Sequence, residues 1–298
     1  LKKLLHITLV LIFNLLYLQI KRDRKLLRWH MAITEEDITK IVDQLEEAEQ
    51  TKQPIQHISK RYPDMTVIDA YSIQRAWVNL KLESGRRRIG WKIGLTSRAM
   101  QRSAGITEPD YGQLLDSMLL WSGSRVNAQD FIVPRIETEL AFQLKSPLKG
   151  PNCSLFDVLS ATEWVIPSLE LIDARVEIED PKTGARRTVF DTISDNAANA
   201  AIILGGTPVR PEAVDLTRVS ATLSRNEIVE DSGVAAAVLT HPGHGVAWLA
   251  NKIADYGEQL DAGSIVLSGS FTSPIPARPG DTFYANYGEL GVVTIGFD

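Results

Sequence analysis

The chain has 298 residues, with 32 Lys+Arg against 37 Asp+Glu and a single cysteine, Cys153. A composition 44% hydrophobic and 23% charged excludes disordered, collagenous and low-complexity chains. One cysteine excludes a disulfide-built secreted scaffold and points to a reducing cytoplasm. A net charge of −5 opposes broad nucleic-acid binding, which needs a basic footprint to displace phosphate counterions.

Charge is unevenly spread. Residues Leu4 to Ile20 are almost continuously apolar, and Lys21-Arg22-Asp23-Arg24-Lys25 follows, with Arg28 just beyond. Seven Lys/Arg and one Asp up to His30 leave the other 268 residues at −11. A signal peptide needs a small-residue cleavage site, and none is visible. A membrane anchor is an alternative, although the run is short and carries polar residues. Met31, the first methionine, directly precedes a helix start, so residues 1–30 are expected to be a non-native upstream extension and 31–298 a single catalytic domain.

Beyond Met31, Thr34-Glu35-Glu36-Asp37 has the form of a capping box with Asp in the fourth place. Ile38, Ile41, Val42, Leu45 and Ala48 follow at helical spacing. A second helix is predicted over Thr66 to Ser84, ending at Gly85, with Ala70, Ile73, Trp77 and Leu80 on its buried stripe. From Gly90 the pattern turns to short β-like runs. Phe131–Leu144, Trp164–Ile172, Arg218–Glu230, Ser264–Ser268 and Asp281–Phe297 read as strands or strand pairs. Helical patches lie at Ser154–Thr162 and Gly245–Tyr256, a hairpin at Asn226-Glu227 and a turn at Arg278–Asp281. His241-Pro242-Gly243-His244 reads as a turn, because Pro and Gly spoil a helical ligand face. The layout is α+β, a helical N-terminal part leading into one β-rich body.

The informative segment is Pro134-Arg135-Ile136-Glu137-Thr138-Glu139-Leu140-Ala141-Phe142. On a strand Glu137 and Glu139 share one face, while Ile136, Thr138, Leu140 and Phe142 share the other. Two neighbouring carboxylates repel unless a cation sits between them or one holds a proton. A solvated strand face with two surface glutamates is the plain alternative. Glu170 lies inside the apolar run Trp164 to Ile172, where a lone acid is costly unless paired or metal-bound. Three oxygen donors without a Cys/His cluster suit Mg²⁺ or Mn²⁺ rather than zinc. No G-x-S-x-G, P-loop or G-x-G-x-x-G motif is present, which lowers serine-hydrolase, NTPase and dinucleotide readings.

The Glu137-x-Glu139 pair followed by Glu170 resembles the metal triad of the fumarylacetoacetate hydrolase superfamily, and the chain resembles its hydratase branch. Trp91-Lys92-Ile93-Gly94-Leu95-Thr96-Ser97, Glu108-Pro109-Asp110-Tyr111-Gly112, Val189 to Asn199 and Gly269-Ser270-Phe271-Thr272 carry the likeness, which runs from about Met31 to the C-terminus. The resemblance implies a mixed β-sandwich or roll core, a divalent metal on Glu137, Glu139 and Glu170, and a homo-oligomer. It further implies a small dicarboxylate substrate of the 2-hydroxy-2,4-dienoate type, with neither nucleic acid nor membrane as partner. Lys92 becomes the candidate for proton transfer or for stabilising the enolate, since a nearby metal can drive a lysine toward its neutral form, and Asp110 the second candidate, orienting Lys92 or the water. Ser270 and Thr272 become candidates for binding a substrate carboxylate, and Asp191 a further, outer hydrogen-bonding candidate. Arg135 adds positive potential if its side chain turns inward.

The superfamily's hydrolases use a His/Glu pair on a lid. His57 sits in a segment unlike that lid, which disfavours C–C hydrolysis. The segment Arg175 to Arg187 resembles the longer connection of the branch's seven-carbon hydratases. A five-carbon dienoate hydratase and a 2-oxo-3-enedioate decarboxylase are the rivals within the fold. A membrane-anchored binding protein is the rival of another class.

Overall fold

The computed structural model describes residues 32–298; the N-terminal readings for residues 1–30 lie outside the described residues. The first helix, α1 (Glu35–Thr51), opens where the capping pattern places it, with the Thr34 side chain accepting from the Asp37 N–H. Ile38, Ile41, Val42, Leu45 and Ala48 form its buried stripe. A short α2 (Ile58–Arg61) leads to α3 (Val67–Glu83), closed at its start by a Thr66–Asp69 capping box. Ala70, Ile73 and Trp77 are buried as expected, whereas Leu80 is exposed. The buried face of α3 instead advances through Gln74 and Val78, since rows four residues apart drift round a helix with 3.6 residues per turn.

The body is two mixed sheets. The larger contains β1 (Arg88–Gly94), β2 (Asp110–Leu115), β3 (Leu119–Trp121), β5 (Arg135–Leu144), β6 (Thr162–Ile172), β7 (Asn199–Leu204), β10 (Ile265–Leu267) and β11 (Ile275–Pro276). Its order is β2-β1-β10-β5-β6-β7-β3, with β11 also paired to β5. The smaller runs β4-β13-β12-β8-β9, from β4 (Ser124–Val126), β8 (Ser220–Arg225), β9 (Ile228–Val234), β12 (Thr282–Asn286) and β13 (Val292–Phe297). This is the α+β class the pattern implied. The β8–β9 hairpin turns at Asn226-Glu227, both with positive φ, as a two-residue hairpin loop requires.

The alternation along β5 is realised. Ile136, Leu140 and Phe142 enter the main core, which also takes Leu223, Phe283, Val293, Ile295 and Phe297 from the smaller sheet. The opposite face of β5 sends Ala141 into a separate apolar cluster with Ile166, Ile202, Leu204, Ile265 and Leu267. Glu137 and Glu139 therefore lie on a face that is dry at one end and open to a cavity at the other.

The residue pattern marks neither the short strands β3, β4 and β11 nor the buried strands β1, β2 and β7. Burial of the last three is nearly complete, so they lack the alternation that marks a half-exposed strand. Helix α4 (Arg98–Ala104) follows β1, α5 (Leu155–Ala161) precedes β6, and α6 (Val189–Ser194) precedes β7. His241 does not sit in a free turn: its Nδ1 accepts from the Gly243 N–H and caps α7 (Pro242–Ala254), with Pro242 in the first turn. Proline is at home there because its missing N–H costs nothing in a helix's first turn.

Strand β1 carries Lys92 and runs parallel to β10. A Cβ on Gly90 would stand 1.8 Å from the Ile265 carbonyl oxygen, so this close approach tolerates no side chain. Gly90→Ala is expected to destabilise the protein by about 1–3 kcal/mol or more, read as a lowered urea midpoint.

Candidate active site

Pairing of β5 with β6 sets Glu137 opposite Glu170 and Glu139 opposite Ser168. Because residues of one parity share a face, three carboxylates from two strands point to one side. Glu139 and Glu170 are each 1% exposed, and Glu137 opens to the cavity. Tyr287 ties the two strands together: its buried hydroxyl lies 2.5 Å from the Ser168 carbonyl and 3.2 Å from that of Glu139.

Lys92 reaches the same place from β1. Its Nζ lies 3.1 Å from Glu170 Oε1 and donates to the Ala197 carbonyl at 3.1 Å. Burial alone would depress the ammonium, yet Glu170, Asp110, Glu137 and Glu139 outweigh it and hold Lys92 above its ordinary pKa. The carboxylates around it therefore favour its charged form. Burial, reinforced by Glu170, pushes Glu137 up to about 8 and Glu139 well above the usual carboxylate range. Asp110, also buried, is raised by desolvation against the pull of Lys92.

The Ala197 carbonyl belongs to an unusual turn. Asn196, Ala197 and Ala198 all have left-handed backbone, with φ of 50°, 53° and 60°, which costs roughly 1–2 kcal/mol per residue. Two contacts hold it. The Asn196 side chain pairs with both the N–H and the carbonyl of Gln113, at 2.8 and 2.9 Å. Arg175, 1% exposed, donates through Nε to Asp195 Oδ1 at 2.5 Å and through Nη2 to the Asp195 and Asn199 carbonyls at 2.9 Å each. Gly112 and Gly94 supply clearance. A Cβ would stand 2.4 Å from the Asn196 carbonyl oxygen at the first and 2.3 Å from Asp110 Oδ1 at the second.

The loop after β10 closes the other side. Gly269, at φ 123°, donates its N–H to Glu139 Oε2 at 2.8 Å. The Ser270 hydroxyl accepts from the Thr272 N–H and donates to the Thr272 carbonyl, while Thr272 Oγ1 accepts from the Thr138 N–H at 3.0 Å. Both residues line the cavity, but much of their hydroxyl capacity is spent shaping the loop and fastening it to β5.

The cavity, of about 630 Å³, brings together Lys92, Asp110, Glu137, Glu139, Glu170, Ser270 and Thr272. Asp191 is not among its walls. It is fully buried, accepting from the Ser59 N–H and hydroxyl and from the Thr188 N–H and hydroxyl. Asp191, expected as an outer hydrogen-bonding group, spends its oxygens capping α6 and fastening α2. His57 is buried and likewise outside the cavity. Three arginines that composition could not place, Arg135, Arg186 and Arg187, do line it. Ala197 and Ala198 were not legible as site residues, because a backbone carbonyl leaves no sequence signal.

The donors fit a hard divalent cation in chemistry. All are oxygens, and Asp110 Oδ1 is buried without a hydrogen-bond partner, a state that native proteins rarely leave unexplained. Among the described residues, no three His, Cys, Asp or Glu side chains converge into a ready-made ligand cluster.

A two-sheet α+β fold with buried carboxylates and a lysine around an open cavity defines a metal-assisted enzyme of the fumarylacetoacetate hydrolase type. The chain is 57% identical over 259 residues to the 2-oxo-hept-4-ene-1,7-dioate hydratase of Escherichia coli, spanning 87% of this chain and 97% of that one. The solved 4-oxalocrotonate decarboxylase from Pseudomonas putida G7, complexed with magnesium and adipate, superposes with a TM-score of 0.86 at 35% identity, covering 90% of this chain and all of that one. A fumarylacetoacetate hydrolase family protein from Yersinia pestis CO92 shares the fold, with a TM-score of 0.51 at 17% identity over 70% of this chain and 92% of its own. No family model matches the chain. The chain belongs to the family of that hydratase and shares its fold with the fumarylacetoacetate hydrolase family protein.

Breaking the buried pair with Asp195→Ala leaves the Arg175 charge uncompensated and is expected to cost about 3–5 kcal/mol in chemical denaturation. Asp191→Ala is expected to cost about 1–3 kcal/mol through the lost cap and the Ser59 link. Affinity for ligands in the cavity should be unchanged, as calorimetry would show.

Proposed function

We propose that the protein is a divalent-metal-dependent hydro-lyase acting on 2-oxo-hept-4-ene-1,7-dioate, equivalently its enol tautomer 2-hydroxyhepta-2,4-dienedioate. The product is 4-hydroxy-2-oxoheptane-1,7-dioate, formed in the catabolism of homoprotocatechuate-type aromatic compounds. The observation that carries this reading is the convergence of Lys92 and Asp110 on Glu137, Glu139 and Glu170, in a chain 57% identical to a hydratase of that name.

Glu137, Glu139 and Glu170 would hold the cation, Mg²⁺ in our assignment with Mn²⁺ as the alternative. When bound it supplies positive charge that polarises the substrate's 2-oxygen and C1 carboxylate. The chemistry first moves the enol proton from the 2-oxygen to C5, leaving a C3–C4 double bond conjugated to the new ketone. Water then adds its oxygen at C4 and a proton at C3. Lys92 is the residue placed to transfer a proton or to stabilise negative charge developing on the 2-oxygen. Asp110, raised in pKa and with Oδ1 unpartnered, is the residue placed to exchange protons with the carbon chain or orient the water. Gly269 holds Glu139 through its N–H, and Ser270 and Thr272 shape the wall beside the metal ligands.

The same constellation serves decarboxylation of a 2-oxo-3-enedioate, and the 35%-identical neighbour is a decarboxylase. Product analysis separates the two, since carbon dioxide release without hydration would assign the decarboxylase. No helix among the described residues is long and apolar enough to cross a membrane. We place the protein in the cytoplasm as a single catalytic unit that forms a homo-oligomer. The exposed Ile228 and Val229 of the edge strand β9 offer apolar surface for such assembly. Membrane anchoring remains the reading of another class, tested by expressing the protein from Met31.

Turnover of seven-carbon and five-carbon dienoates side by side, with Mg²⁺ and after exhaustive chelation, tests the assignment. The seven-carbon diacid should be hydrated preferentially and only with metal. Glu137→Gln should lower the metal-dependent rate by at least about a hundredfold while circular dichroism shows the fold intact. Undiminished activity after chelation would remove the metal from the mechanism.

A further inference from the structure

We propose that Arg135 and Arg187 form the subsite for the substrate carboxylate farthest from the metal ligands, and so select diacids over monoacids. Arg135 is two residues before Glu137 on β5 and shares its face. Two residues of strand span about 7 Å, close to the reach of an extended seven-carbon chain between its terminal carboxylates. A substrate anchored at Glu137, Glu139 and Glu170 therefore lays its far end near Arg135. Among the described residues the Arg135 guanidinium makes no hydrogen bond or ion pair, although it lines the cavity, is only partly exposed and lies close enough to lower the pKa of Glu137. A guanidinium with five donors and none engaged is poised for a ligand.

Arg187 lines the same cavity. Its Nη1 donates to the Val176 carbonyl at 3.1 Å and meets Asp195 Oδ2 at 3.5 Å, which fixes the side chain while leaving Nε and Nη2 uncommitted. Arg135 is among the cations that disfavour the charge on Arg187. Two cations facing one cavity invite an anion between them. The nearby wall acid does not serve, because Asp231 accepts from the Ser232 and Ser273 N–H groups. Arg186 pairs outward with Glu179. Planar, bidentate recognition of a carboxylate is what arginine supplies and lysine does not.

The identity of the substrate rests on the hydratase assignment, but the subsite is testable without turnover. Calorimetry in the presence of Mg²⁺ would compare 2-oxoheptanedioate with 2-oxoheptanoate, which differ only in the distal carboxylate. The unmodified protein should bind the diacid at least about tenfold more tightly. Arg135→Gln should erase most of that difference while leaving affinity for the monoacid within about twofold, and Arg135→Lys should restore part of it. Arg187 also supports its own segment, so Arg187→Lys, which keeps the charge, is the variant of choice there and should weaken only the diacid. Equal affinities for the two ligands in the unmodified protein, or equal losses for both in Arg135→Gln, would overturn the subsite. Diacid selectivity that depends on Arg135, in a protein that hydrates no dienoate, would leave the subsite standing and overturn the proposed reaction.

Discussion

Glu137 and Glu170 face each other across two adjacent buried strands, and the surrounding architecture answers the cost of holding like charges out of water. Four carboxylates, those of Asp110, Glu137, Glu139 and Glu170, share one lysine. With every acid ionised, one ammonium leaves the group strongly negative, and burial accordingly lifts the acids' pKa values. A divalent cation removes most of that deficit in one step. Without that cation the ionised acids hold Lys92 above its ordinary pKa.

Strain is concentrated beside this cluster. The left-handed run Asn196 to Ala198 delivers a carbonyl to Lys92, and such backbone persists only where its surroundings over-determine it. Arg175 with Asp195, and Asn196 with Gln113, perform that role from opposite sides. Tyr287, reaching from the connection between the two strands β12 and β13 of the smaller sheet, clamps β5 to β6 at the level of Glu139. The smaller sheet thereby contributes to site geometry without placing a charge in it. Rigid elements rather than loops carry the acids, which keeps their separation fixed while the Gly269–Ser273 loop closes over them.

The four carboxylates, Lys92, Arg135 and Arg187 all line the cavity, so a body carrying net negative charge can still present local positive charge to a diacid. Asp191 shows the opposite lesson. A buried aspartate in a motif-bearing stretch looked chemical, yet its four accepted hydrogen bonds bind α6 to α2. Its contribution to function is indirect, through the helix that precedes the strained turn.

Much was legible in the chain itself. Caps and periodicity located α1, α3 and the β8–β9 hairpin, because those signals are local and encode backbone geometry directly. The alternation through β5 assigned the face of Glu137 and Glu139, and the isolated acid in an apolar run marked Glu170. Strands β1, β2 and β7 escaped notice, since burial on both faces erases alternation. The destination of a side chain was equally hidden: nothing in the order of residues tells whether Asp191 or Arg187 reaches the cavity. The sequence by itself determined the chemical inventory, an oxygen-donor triad with one lysine and one further acid. Only the tertiary structure decided the pairing of Glu137 with Glu170, the carbonyl of Ala197 as a partner for Lys92, and the inward turn of the arginines. Strand register and long-range approach arise from packing across the whole core, and no local pattern specifies them.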